Sequence, residues 1–313
     1  MSKYIYKYVG ISYLDKVFAL PQHVTLKCGY PKDFNDPYEL FLTINFRQKP
    51  GLLAFYSDVI GKLPQRPTTC FSRSPIVVPM WAHYAQDSQG FAIEFNEDAL
   101  AKSFPESSFG DIDYKNTAGN ELIDVLYRAY EIGKPRYLYM LQNGVFSAAY
   151  YTKAKCWSYE LERRMIVPPK ETRLDGSIVL MDVPKACVSA LICGSRASEQ
   201  TIRAVRNKAD DLGCSYYDVK IGKTSPIPHL SSGTGEVFIF DGAAILQSSR
   251  YCASCKEPLK GRAKLCAWCQ IEEFHQLNAE ERNTFRMLSH AGILEEYIKG
   301  MNDITSGHRK NGT

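Results

Sequence analysis

The tightest constraint on this chain lies near its end, in Cys252-x2-Cys255, ten intervening residues, and Cys266-x2-Cys269. A Cys-x2-Cys turn sets two thiolates at adjacent corners of a tetrahedron, and two such turns facing each other close a four-cysteine zinc site. The short spacer suits a zinc ribbon or a knuckle hairpin. With four protein ligands no position is open to a substrate, so this zinc is expected to be structural. Two disulfides or a redox pair are the alternatives. Both fit poorly with a chain that opens on MSKYIYKYVG, which lacks the apolar core of a signal peptide. The other six cysteines (Cys28, Cys70, Cys156, Cys187, Cys193 and Cys214) are scattered singly, as buried free thiols are.

A zinc module of this size cannot account for 313 residues, and a length of that order suggests about two domains. Hydrophobic residues make up 45% and charged residues 23%, which excludes a disordered, collagenous or low-complexity chain. No run approaches the ~18 apolar residues of a membrane span. The expectation is a cytoplasmic protein without a membrane partner. A net charge of +4 permits a nucleic-acid partner without arguing for one. Locally the signal is stronger, because the cysteine spacer carries Lys256, Lys260, Arg262 and Lys264 against one acid, Glu257, with Trp268 alongside. Such a knuckle suits nucleic-acid contact. A solvated hairpin, or a surface docked on the main domain, explains it equally well.

Upstream, hydrophobic periodicity predicts a mixed α+β domain. YIYKYV (4–9) alternates as a strand, with Tyr4, Tyr6 and Tyr8 on one face and Ile5, Lys7 and Val9 on the other. Strands are also expected over 24–29, 68–72, 91–95, 155–167, near 177–183, 187–193 and over 215–222. Helices are expected over 12–20, 80–86 and 117–143, the last broken at Gly133 and Pro135. Another should follow a Ser198 cap, with an apolar stripe of Ile202, Val205, Ala209 and Leu212. The turn-rich segment 223–250 reads as a linker, and a helical tail is expected from about Asn278. Phosphate-loop, dinucleotide-fold and zinc-protease signatures are absent from the sequence.

Four blocks could carry chemistry. In CWSYELERRMIV, period-2 alternation puts Glu160, Glu162 and Arg164 on one strand face and Trp157, Tyr159 and Leu161 on the core-facing side. Carboxylates two apart on a strand lie ~7 Å from each other and can act on one cationic centre. An exposed face with cross-strand Glu–Arg pairs is the simpler explanation of that spacing. MWAHYA offers Trp81, His83 and Tyr84, which could stack on a planar ligand or simply pack the core. FNDPYE, with Asn35 and Asp36, could be a rigid turn alone. Lys7 is the lone charge on its strand face, which predicts that it faces a ligand and not bulk water.

In order along the chain, YKY, FNDPYE, CFS, MWAHYA…GFAIEF and WSYELERR resemble a widespread uncharacterised bacterial family met among abortive-infection and phage-defence genes. The resemblance covers residues 4–222 and does not include the cysteine tail. That family's layout in turn resembles the ADP-ribosyltransferase fold, a split β-sheet that clamps NAD. The resemblance implies Glu160 and Glu162 as the catalytic ExE. It implies Lys7, in place of the usual His or Arg, with Tyr8, Asn35, Asp36, Ser72, Trp81, His83 and Tyr84 around the NAD. Cleavage of the nicotinamide–ribose bond builds an oxocarbenium-like cation, which a fixed carboxylate stabilises while a second one orients or deprotonates the acceptor.

The expected architecture is therefore α+β. A split-sheet ADP-ribosyltransferase-like catalytic domain with a helical insertion spans 1–222, a linker 223–250, and a zinc ribbon with helical tail 251–313. The expected function is a toxin or phage-defence effector that uses NAD as substrate and modifies a macromolecular target, nucleic acid being slightly favoured over protein. An antitoxin partner is plausible for such a chain. Two alternatives stand beside it. One is a nucleic-acid-binding protein whose zinc ribbon is the working part. The other is a Mg²⁺-dependent nuclease using Glu94, Glu160 and Glu162.

Overall fold

The structure is a computed structural model that describes residues 4–34, 36, 43–61, 63 and 65–310. The chain divides into two compact units, one up to Ser249 and one from Arg250.

The first unit is built on a ten-stranded sheet. Its order is Ile245–Gln247, Val237–Phe240, His229–Ser232, Ser215–Lys220, Val188–Cys193, Phe91–Asn96, Tyr4–Val9, Thr68–Ser72, Glu162–Ile166 and Ser108–Asp111. Tyr4–Val9 and Phe91–Asn96 pair antiparallel along their whole length and sit near the middle. Both faces are covered there. Ile5, Phe91, Ile93 and Phe95 pack into one core, and Tyr6, Tyr8 and Ala92 into another with Met80 and Trp81 of the helix Val78–Tyr84. A separate three-stranded sheet orders His23–Cys28, Ile178–Pro184 and Arg173–Asp175.

The expected linker over 223–250 carries three strands of the main sheet instead of a solvated connection. Leu230 and Val237 are buried, and the turn formers between the strands serve short hairpins. The helix after Ser198 runs Glu199–Leu212. The Ser198 hydroxyl caps it by accepting from Thr201 N–H at 3.1 Å, and left-handed Gly213 ends it.

A helical insertion comprises Pro50–Gly61, Glu121–Ile132 and Pro135–Tyr151 around Leu52, Tyr56, Leu126 and Leu141. The break falls at Gly133, which is left-handed at φ 66°, and Pro135 opens the next helix. That helix delivers the chain into the short strand Thr152–Ala154, which pairs in parallel with Asp113–Lys115 and sets Lys153 opposite Tyr114.

The expected long strand over 155–167 is half strand. Lys155–Glu160 forms a 3₁₀ turn, Leu161 is left-handed at φ 47°, and the ladder begins only at Glu162. Alternating polar and apolar residues suit either geometry when one face of the turn is exposed. Nothing in composition announces a left-handed leucine, which costs about 1–2 kcal/mol relative to the right-handed form.

The second unit holds the four-cysteine hairpin followed by helices Glu273–Arg282, Thr284–His290 and Leu294–Lys310. The first helix begins five residues before the expected Asn278, at a capping box in which Glu272 and His275 exchange side-chain-to-backbone bonds. Among the described residues no helix is long and apolar enough to cross a membrane.

Candidate functional site

Strand register assembles the site. Tyr6 pairs with Ser72 and with Glu94, and Ser72 pairs with Glu162, so these four residues lie in a row on one sheet face. Against the Glu162 end of that row lies the 3₁₀ turn ending at Glu160, anchored where the Ser72 hydroxyl donates to the Glu160 carbonyl at 2.7 Å. Glu160 and Glu162 thus meet through a fold in the chain and not through a shared strand face.

Lys153 joins the two acids. Its ammonium lies 2.6 Å from Glu160 Oε2 and 3.2 Å from Glu162 Oε2. Arg164, fully buried, forks onto Glu162, with Nε 2.7 Å from Oε1 and Nη2 3.2 Å from Oε2. Arg164 also donates to the Tyr150 carbonyl and lies 4.9 Å from the Phe34 ring centre. The Tyr84 hydroxyl donates to Glu160 Oε1 at 2.6 Å, and the backbone N–H of Glu162 donates to the Tyr114 hydroxyl at 2.7 Å. Two carboxylates and two cations in a buried cluster give a net charge of zero, which is how such charges tolerate loss of water.

The two carboxylates are not equivalent. Burial pushes the Glu160 carboxyl above its ordinary range, and Lys153 and Tyr84 only partly oppose it. Burial acts on Glu162 in the same sense, but the guanidinium of Arg164 and the ammonium of Lys153 outweigh it and hold that carboxyl below its ordinary range. The environments of the two carboxyls thus pull their protonation in opposite directions.

The outer edge of the cluster is aromatic. Tyr84, Trp157 and Tyr159 are half-buried and His83 is exposed. His83 Nδ1 lies 3.1 Å from the Tyr159 hydroxyl, and the Lys153 ammonium lies 4.8 Å from the Trp157 ring centre. Trp157 and Tyr159, expected in the core, instead form this rim, because the turn at 155–160 rotates them out of strand alternation.

Several expected residues fall elsewhere. Trp81 is buried, and its indole N–H donates to the Pro75 carbonyl at 2.8 Å. It packs on Tyr8, which is buried as well and donates to the Ser74 carbonyl. Neither can stack on a ligand without leaving the core. Lys7 projects from the opposite sheet face to Glu162, and its ammonium is bonded to Thr69 Oγ1 and the Cys70 carbonyl. Protein groups thus hold the ammonium expected to face a ligand, and they do so away from the carboxylates. Asp36 is buried, and Asn35 lies outside the described residues. Glu94 accepts from the Tyr6 hydroxyl at 2.8 Å and is not among the groups that Lys153 and Arg164 hold.

Sequence reasoning missed Lys153, Tyr114 and the role of Arg164. A signal existed for the lysine: it breaks the uncharged run 137–152, seven residues before a glutamate that burial would leave in need of a counter-charge.

In the second unit, the Sγ atoms of Cys252, Cys255, Cys266 and Cys269 all lie within 4.8 Å of one another. The Cys255–Cys266 separation is 3.7 Å. A tetrahedron of sulfurs ~2.3 Å from a central zinc has edges of about 3.8 Å, whereas a disulfide is ~2.05 Å long. All ten cysteines are free thiols. Cys269 N–H donates to Cys266 Sγ, and a left-handed Lys256, φ 65°, turns the first knuckle. The donor set fits a closed structural metal site such as zinc. Among the described residues this is the one group of histidines, cysteines or acids close enough to hold an ion.

No curated protein and no solved structure matches the chain. Residues 80–165, which include Tyr84, Lys153, Glu160, Glu162 and Arg164, match the model of a family described as a protein of unknown function, DUF2971.

Proposed function

We propose that the first unit is an ADP-ribosyltransferase-like domain that cleaves NAD and transfers ADP-ribose to a macromolecular target, as an effector of phage defence. The observation that carries this reading is the carboxylate pair: Glu160 and Glu162 share Lys153, yet their environments pull their protonation in opposite directions. Breaking the bond between ribose C1′ and the nicotinamide nitrogen sends the electron pair to the ring. Neutral nicotinamide leaves, and positive charge remains on the ribose. Glu162, kept ionised, stabilises that cation. The acceptor's nucleophilic atom then bonds to C1′ and its proton passes to Glu160, whose raised pKa suits a base. His83, Tyr84, Trp157 and Tyr159 offer aromatic faces to a planar ring at the edge of the site.

A ten-stranded sheet beside a separate three-stranded one, with a helical insertion, supports this reading of a split-sheet transferase core. The nuclease alternative gains no support. Glu94 is bonded to Tyr6, and the space between the other two acids is taken by an ammonium rather than left for Mg²⁺. The test is incubation of the purified chain with adenylate-labelled NAD and cell extract, with and without EDTA. Release of nicotinamide, and label on macromolecules that survives the chelator, are expected. Intact NAD with no label on protein or nucleic acid would overturn the reading.

A further inference from the structure

The hairpin around the cysteines is closed by its own backbone. Cys252 N–H donates to the Glu257 carbonyl, Leu259 N–H to the Arg250 carbonyl, and Ala253 N–H to the Lys264 carbonyl, which ties the two knuckles together. Between Arg250 and Ile271 the sequence contains one acidic residue, Glu257, and it is buried at 1% exposure. Arg250, Lys256, Lys260, Arg262 and Lys264 are all exposed. Every charge this hairpin presents to solvent is therefore positive, although the chain as a whole carries only +4. Two large aromatic side chains accompany these cations. Tyr251 is 41% exposed and lies under the Lys256 ammonium, and Trp268 is 58% exposed. Trp268 directly precedes the metal ligand Cys269 in a 3₁₀ turn. A metal held by Cys269 would fix its backbone, so that its indole is offered at little ordering cost.

We infer that this hairpin binds single-stranded nucleic acid, with the cations tracking phosphates and Trp268, with Tyr251, stacking on bases. Exposed tryptophan is costly for a purely solvated hairpin. A row of cations with the lone acid withdrawn suits a polyanion, and the two features together suit a strand whose bases are unpaired. A duplex would present phosphates but no free base faces.

The experiment is fluorescence anisotropy of the full metal-loaded chain with labelled 20-nucleotide single strands of DNA and RNA, a matched duplex, and vesicles containing anionic lipid, over a series of salt concentrations. No NAD is present, so the outcome is independent of the catalytic reading. Single strands should bind more tightly than duplex. Their log affinity should fall with log salt at a slope of about −3, as contacts from Lys256, Lys260, Arg262 and Lys264 imply at about 0.7 per contact. The double variant K260Q/R262Q should flatten the slope by about 1.4. W268A should weaken single-strand binding about 5- to 100-fold with the slope unchanged. Metal analysis of each variant confirms that the hairpin is intact. Absence of binding at low salt, preference for duplex or for vesicles, or an affinity indifferent to W268A would each overturn the proposal.

Discussion

Two clusters in this molecule gather groups that cannot be left bare, and they solve the problem in opposite ways. In the first unit, Glu160 and Glu162 are buried together and neutralised from within the chain by Lys153 and Arg164. In the second, four cysteine sulfurs converge with no cationic side chain among them, so their thiolate forms call for an external ion. The carboxylate cluster is organised by folding alone, with its counter-charges supplied by the chain. The thiolate cluster makes folding conditional on a metal and leaves no ligand position over. Sites that work on a substrate need charge held in place before the substrate arrives. Sites that only hold a shape can take their charge from solution.

The largest expected effect breaks the second cluster. Removing the metal, or Cys266→Ser, should unfold the hairpin, since structural zinc supplies about 10 kcal/mol or more to a small module. Amide exchange over 251–270 should become unprotected while the strand Phe91–Asn96 stays protected. Loss of protection in both units would show that the fold of the first depends on the metal of the second.

Next in size is Arg164→Met. It leaves a buried carboxylate without its forked partner, and breaking such a pair costs about 3–5 kcal/mol. The melting temperature should fall by about 6–20 °C for a unit of this size. Because Glu162 is buried in the same pair, Glu162→Gln should destabilise as well, so activity lost in that variant is not by itself evidence for catalysis. A metal chelator should not change either result.

Glu94 sharpens the comparison as a buried carboxylate whose hydrogen bond is to a hydroxyl and not to a cation. Burial pushes its pKa up to about 7. A raised carboxyl favours the protonated form in the folded chain. Its contribution to stability is therefore complete below the unfolded value near 4.5 and is lost as pH rises towards 7. The loss is about 3 kcal/mol. Glu162 has the opposite sign: its contribution is present above about 4.5 and fades as pH falls. Glu94→Gln should flatten the decline between pH 5 and 7 in thermal melts, and an unchanged profile would remove Glu94 as its source.

The smallest stability effect is expected from Tyr84→Phe. It removes one hydrogen bond to Glu160, worth about 1 kcal/mol. Turnover of NAD should fall more than the melting temperature suggests.

Much of the scaffold was legible because its signals are local. Ser198 and Gly213 bracket a helix, Gly133 and Pro135 break one, and FAIEF alternates as a strand with Phe91, Ile93 and Phe95 on one face. The paired cysteine spacing was legible for the same reason. The candidate site was half legible. Glu160 and Glu162 are adjacent in sequence, but the left-handed Leu161 that folds one acid back over the other leaves no compositional mark. Lys153 reaches them only because a helix and a two-stranded parallel pair deliver it beside Tyr114. Trp81 and Trp157 exchanged their expected places for a tertiary reason: a sheet face needed covering by the first, and a tight turn exposed the second.

Glu160 is the residue on which the catalytic account turns, because its backbone is held by Ser72 and its carboxyl is already drawn towards the neutral form. Glu160→Gln should therefore keep the fold far better than Glu162→Gln. The most direct measurement is nicotinamide release from NAD, and label transfer to extract, by parent and Glu160→Gln proteins compared at equal folded fraction. A fall in transfer of about 100-fold or more, in the range of general acid–base contributions, is the predicted result. Equal transfer by the two proteins, or no NAD turnover by the parent, would contradict the account.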